Sequence, residues 1–148
     1  MIEKERNADV LFVEDNQDDS ELTEFAMTQA NDKINFIHFN DGIDALNFIF
    51  AKNKYEGRKV QSRLKLVLLD LRLPTMNGLE VLRQIRQAEA TKTVPVVILT
   101  SSKDQHDIDI AYQLGVNSYV VKPEGFDGYV KKVEALTFYW SAVNERPY

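Results

Sequence analysis

The chain has 148 residues, of which 44% are hydrophobic and 28% charged, with a formal net charge of −5 and no cysteine. That length and composition suit one globular domain with its own core. They leave no apolar run near the roughly 20 residues of a membrane helix and no disulfide framework or thiolate metal site. The acidic balance excludes a basic nucleic-acid-binding face as the main role. Residues 1–8 read as a polar leader with no apolar signal segment behind it, and the expected location is the cytoplasm.

Asp9 to Glu14 reads as a short apolar strand ending in Glu14-Asp15. Asn16 or Asp18 is suited to cap the helix that follows, with Leu22, Phe25, Ala26 and Ala30 at helical spacing. Ile34 to Phe39 alternates weakly and predicts a more exposed second strand. Asn40-Asp41-Gly42 then opens a helix with Ala45, Leu46, Ile49 and Phe50 on one face. Ala51 to Arg63 is polar and without period, which predicts a loop.

Leu66 to Leu69, ending in Asp70, is a near-continuous apolar run bounded by Pro74 and Asn77-Gly78, the pattern of a central parallel strand covered on both faces. A helix is expected from Leu79 to about Glu89, with Leu79, Leu82, Ile85 and Arg86 in register. Val94 to Thr100 is a second buried strand, and the helix from Asp104 closes at Gly115, a suitable left-handed cap. Val116 to Val121 forms the last strand, ending at Lys122-Pro123. The final helix is expected over about 126–144, with Val130, Val133, Leu136 and Trp140 along one stripe and Phe138 and Tyr139 off it.

Strands and helices alternate five times. This predicts a single α/β domain over 9–148: a doubly wound, five-stranded parallel sheet with helices on both faces.

In such sheets ligands bind outside the carboxyl ends of the strands. The ends here are Glu14-Asp15, Asp70, Thr100 and Lys122. Each residue alone has a plain reading: the acids suit a helix N-terminus, Thr100 a strand-end cap, Lys122 a solvated surface. Together they bring three carboxylates, a hydroxyl and an ammonium to one edge. Crowded carboxylates favour protonation unless a cation joins them, and hard oxygen donors suit Mg²⁺. A carboxylate in that setting is able to accept a phosphoryl group, whose charge of about −2 Lys122 and Thr100 would share. Pro123 makes the preceding peptide bond a candidate cis bond.

Four motifs carry a family resemblance: Val13-Glu14-Asp15-Asn16, Leu69-Asp70-Leu71-Arg72-Leu73-Pro74-Thr75-Met76-Asn77-Gly78, Leu99-Thr100-Ser101-Ser102, and Tyr119-Val120-Val121-Lys122-Pro123. From about Asp9 to Val133 the chain resembles the receiver domain of response regulators in two-component phosphorelays, which implies a flavodoxin-like strand order of 2-1-3-4-5. The resemblance implies that Asp70 accepts a phosphoryl group from a sensor histidine kinase. It implies Mg²⁺ held by Asp15, Asp70 and the Arg72 backbone carbonyl, with Glu14 acting through water, and phosphoryl oxygens bound by Thr100 and Lys122. It further implies a switch in which Thr100 shifts and Tyr119 turns inward. That switch alters the fourth-helix, fifth-strand and fifth-helix face, through which a homodimer is one expected contact.

No output module is expected after the receiver. The C-terminal extension, the polar loop and Leu114–Pro123 are similar to stand-alone regulators associated with bacterial and cyanobacterial phytochrome-type kinases. Arg72 departs from the smaller polar residue often found two positions after the acceptor, where its guanidinium could shield or pair with the phosphoryl group. An aspartyl-nucleophile phosphohydrolase would need an acid at that position. A nucleotide site would need a glycine-rich loop after the first strand. A phosphorylation-independent adaptor remains the other alternative. His38 and His106 lack partners at metal-ligand spacing and carry no assigned chemistry, and no turnover enzyme, membrane or nucleic-acid partner is expected.

Overall fold

Five short apolar runs become five parallel strands in a computed structural model that describes residues 8–148. The strands are β1 (Val10–Val13), β2 (Phe36–Phe39), β3 (Leu66–Leu69), β4 (Val96–Thr100) and β5 (Ser118–Val121), in the order β2-β1-β3-β4-β5. Every residue of β1, β3 and β4 is buried, as central strands flanked by helices must be. β2 and β5 occupy the edges and are largely half-buried. The predicted sheet and its order are what is found.

Alternate side chains of each strand point to opposite faces, and the core accordingly divides in two. Leu11, Val13, Val67, Leu69 and Ile98 pack with α2 (Gly42–Ile49), α3 (Gly78–Gln87) and Ala111 of α4 (Gln105–Gln113). Val10, Phe12, Leu66, Leu68, Val97 and Leu99 pack with α1 (Gln17–Ala30) and α5 (Phe126–Phe138). Each fully buried Leu or Phe contributes roughly 1.5–3 kcal/mol of transfer free energy. Asn16, Asp41, Asn77 and Asp104 cap four of the helices through side-chain oxygens that accept first-turn amides. Gly115 closes α4 at φ +93°, as expected of a left-handed cap.

Several expectations need correction. α1 buries Ser20, Thr23, Ala26 and Met27, whereas Phe25 is 46% exposed and meets the Phe126 ring instead. The buried stripe is shifted because small polar residues face α5, and apolar periodicity does not count them. The polar segment 51–63 holds a 3₁₀ turn, Asn53–Tyr55, which drives Tyr55 into the core against Phe39 and Phe48. α3 stops at Gln87 rather than Glu89. No described peptide bond is cis, so Lys122-Pro123 is trans. α5 buries Val130 and Val133 as predicted, but past Phe138 the expected helix becomes a π-helical turn, Tyr139–Val143. Phe138 and Tyr139 are exposed, in keeping with their place off the stripe. The polar leader lies outside the described residues except for Ala8. Among the described residues no helix is long and apolar enough to cross a membrane.

Candidate functional site

The sheet ladder itself places the site, because it runs one residue past the strand ends. The Asp70 amide donates to the Val13 carbonyl at 3.1 Å, that of Glu14 to Phe39 at 3.0 Å, and that of Lys122 to Thr100 at 2.7 Å. Residues from β1, β3 and β5 are thereby brought to one edge. Gly78 closes the loop beyond Asp70: a Cβ there would overlap the Asp70 carbonyl oxygen. Only glycine lets the start of α3 lie against the backbone of the central carboxylate.

Glu14, Asp15 and Asp70 each offer a carboxylate oxygen within 4.8 Å of the others; Glu14 and Asp70 are buried and Asp15 is exposed. Lys122 Nζ donates to Glu14 Oε1 at 2.7 Å, Asp70 Oδ2 at 2.9 Å and Asp19 Oδ2 at 2.8 Å. Burial, and then repulsion from Asp70, raises the Glu14 pKa from 4.5 to about 7 against the pull of Lys122. Burial by itself would lower the Lys122 pKa, yet hydrogen bonds to Asp19, Glu14 and Asp70 hold it above its ordinary value, so the ammonium is charged. One cation facing this many carboxylates leaves the edge electron-rich. Three clustered hard oxygens with one open side fit a small divalent cation that keeps part of its water shell. Glu14, Asp15 and Asp70 are the residues that could hold it.

Thr100 is fully buried at the end of β4, and its hydroxyl accepts from the Ser102 amide at 3.4 Å, without a hydrogen bond to the carboxylates. The Tyr119 hydroxyl donates to the Ser102 carbonyl at 2.9 Å. The Arg72 amide donates to Asp70 Oδ1 at 3.3 Å, while its guanidinium reaches outward to Asp107 of α4 at 3.4 Å. Asp107 also accepts the Ser102 hydroxyl at 2.7 Å. His38 stacks on Phe12 and hydrogen-bonds the Glu14 carbonyl at 2.7 Å, a supporting role under the site. The His106 ring makes no hydrogen bond among the described residues, and its amide donates to the Asp104 carboxylate.

Sequence reading missed Asp19, the third carboxylate on Lys122. It also missed Tyr129, whose hydroxyl lies 2.9 Å from Thr23 Oγ1 and whose phenol burial pushes up to about 12. The available signal was phase: Asp19 and Thr23 stand one turn apart on the buried side of α1, where polar groups need partners.

Comparison with known proteins places this geometry in a family. The profile of the response regulator receiver domain matches residues 10–134. Response regulator Rcp1 of Synechocystis sp. is 34% identical over 131 residues, spanning 88% of this chain and 87% of Rcp1. A probable methanogenesis regulatory protein, FilR2 of Methanothrix harundinacea, is 36% identical over 147 residues, 99% of this chain and 92% of FilR2. The Mn²⁺-bound structure of Rcp1 superposes with a TM-score of 0.86 at 33% identity, covering 94% of this chain and 98% of that one. The phosphorylated cyanobacterial phytochrome response regulator RcpA gives a TM-score of 0.87 at 29% identity, over 95% and 99% of the two chains.

Proposed function

This chain belongs to the response regulator receiver domain family, and on that footing we propose that it is a Mg²⁺-dependent phosphoacceptor switch with Asp70 as the acceptor. The observation that carries the reading is the place of Asp70: buried at the end of the central strand, with the Lys122 ammonium 2.9 Å from one carboxylate oxygen and two further acids beside it. The phosphoryl donor is the phosphohistidine of a sensor kinase. An Asp70 oxygen attacks phosphorus, the P–N bond breaks, and the imidazole leaves as the phosphoryl group becomes an acyl phosphate. Lys122 Nζ donates to a phosphoryl oxygen, and the Thr100 hydroxyl turns toward another. Asp15, Asp70 and the Arg72 carbonyl would hold the cation, with Glu14 reaching it through water, and the cation would neutralise charge between the carboxylates and the incoming group. Likeness to Mn²⁺-bound Rcp1 and to phosphorylated RcpA supports both parts of the assignment.

Output runs through protein contacts. Tyr119 is poised for the switch, since its hydroxyl hangs on the Ser102 carbonyl two residues beyond Thr100. Loss of that bond frees the ring to turn inward and reshapes the α4-β5-α5 face. The half-buried edge strand β5 and the exposed Phe138 and Tyr139 suit that face to a kinase, a target or a second copy. Likeness to the phytochrome response regulator RcpA favours a phytochrome-type sensor kinase as the partner. Arg72 stands where a hydrolase of the aspartyl-nucleophile type needs an acid, so no turnover activity is assigned.

The test is intact mass after incubation with acetyl phosphate and Mg²⁺. One added phosphoryl group is expected, absent from Asp70→Asn and absent when the cation is chelated. Unchanged mass in the wild type would favour the phosphorylation-independent adaptor.

A further inference from the structure

A lysine ammonium has three protons, and Lys122 gives one to each of three carboxylates: Glu14, Asp19 and Asp70. The three are not equally placed to lose it. The Glu14 and Asp70 side chains are 6% and 7% exposed, so an unpaired charge on either is costly. Asp19 is 29% exposed and sits in the first turn of α1, where water and the positive helix end both favour a free carboxylate. It is the cheapest partner to release.

The backbone around Asp19 is also pinned. Its carbonyl accepts the Thr23 hydroxyl at 2.8 Å and the Tyr129 hydroxyl at 3.4 Å, and its amide donates to the Asn16 cap. The Asp19 backbone is therefore held against α5, so only rotation of its side chain is left for its carboxylate to follow Lys122.

We infer that Asp19 is a positioning residue that holds Lys122 in the unphosphorylated protein and is the partner given up when a phosphoryl group arrives on Asp70. This rests on Asp70 being the acceptor. Asp19 stabilises the resting state by an ion pair that the phosphorylated state lacks, and its charge opposes the phosphoryl group. Both effects act in one direction, so neutralising Asp19 favours the occupied site. The side chain of Asp18, in the same first turn and exposed, makes no hydrogen bond or ion pair among the described residues. It serves as the control for a generic helix-end charge.

The probe is beryllofluoride, which occupies a phosphoacceptor carboxylate without covalent turnover, titrated in Mg²⁺ against wild type, Asp19→Asn, Asp19→Glu and Asp18→Asn. A partly exposed ion pair sets the expected effect: Asp19→Asn binds about threefold to fivefold tighter. Asp19→Glu returns toward wild type and Asp18→Asn stays within about twofold of it. The Lys122 ammonium NMR signal gives a second readout that a helix-end effect would not move: without probe, it shifts in Asp19→Asn and not in Asp18→Asn. Equal affinities in wild type and Asp19→Asn, or equal tightening in both Asn variants, overturn the role of Asp19. No binding to the wild type, together with no labelling by acetyl phosphate, overturns the acceptor reading and this inference with it.

Discussion

Replacing Glu14 with glutamine is expected to stabilise the metal-free protein by an amount that grows with pH. The folded protein holds the Glu14 carboxyl at about 7, against 4.5 for the free group, because burial and Asp70 favour the neutral acid. Between those values the folded state keeps a proton that the unfolded chain has released. Stability from this group is therefore complete below about 4.5 and is lost as pH rises through about 7. At about 1.4 kcal/mol per pH unit, the gap is worth about 3 kcal/mol. Glutamine resembles the protonated acid in shape and retains an oxygen able to accept from Lys122, but it does not titrate. Wild type and Glu14→Gln should thus be close in stability near pH 4.5 and differ by about 3 kcal/mol at pH 8. For a chain of this size that is a difference of about 6–12 °C in Tm. Urea unfolding with a chelator present, run on both proteins across that range, measures the divergence directly. Parallel curves, with one constant offset at every pH, would refute the claim that the site holds Glu14 protonated.

Metal binding should show the same proton from the other side. Affinity for Mg²⁺ is expected to rise with pH up to about 7 and then level, with proton release on binding at pH 6 that disappears at pH 8, both readable by calorimetry in buffers of different ionisation enthalpy. Gly78→Ala should reduce the rate of acetyl phosphate labelling severalfold and lower stability by roughly 3 kcal/mol, because the added Cβ overlaps the Asp70 carbonyl and must push the acceptor aside. A wild-type labelling rate in that variant would show that the close approach does not matter. Arg86→Ala should cost about 2–4 kcal/mol in urea unfolding while leaving labelling near normal. Its guanidinium donates to the carbonyls of Gly115 and Val94 and to Asn117 Oδ1, joining α3 to β4 and the α4–β5 loop at the sheet edge away from the acids.

The sheet was legible in the chain because burial on both faces leaves a mark that needs no partner: Leu66 to Leu69 and Val96 to Leu99 are apolar without interruption. The switch from those runs to periodic segments marked five alternations and hence a doubly wound parallel sheet. The meeting of polar groups at the strand ends was legible for a related reason. Once strands are parallel, their carboxyl ends share an edge, so Glu14, Asp15, Asp70 and Lys122 had to meet there.

What the sequence could not supply were contacts made by polar groups across the fold. Thr23 and Tyr129 are polar residues 106 apart in sequence that satisfy each other in the interior, and hydrophobic periodicity has no term for such a pair. Arg86 reads as a cation in register with leucines, and only the loop ending at Asn117 explains why it is held there. Tyr55 left no apolar pattern in a polar loop, because one turn of 3₁₀ helix was enough to bury it. Asp19 is the clearest case. Its local role, an acid in the first turn of a helix, is complete in itself, and only the packing of α1 against α5 beside β5 turns it toward Lys122. Local patterns specify which face of an element is apolar; which charge meets which cation is decided by three elements closing on one point in space.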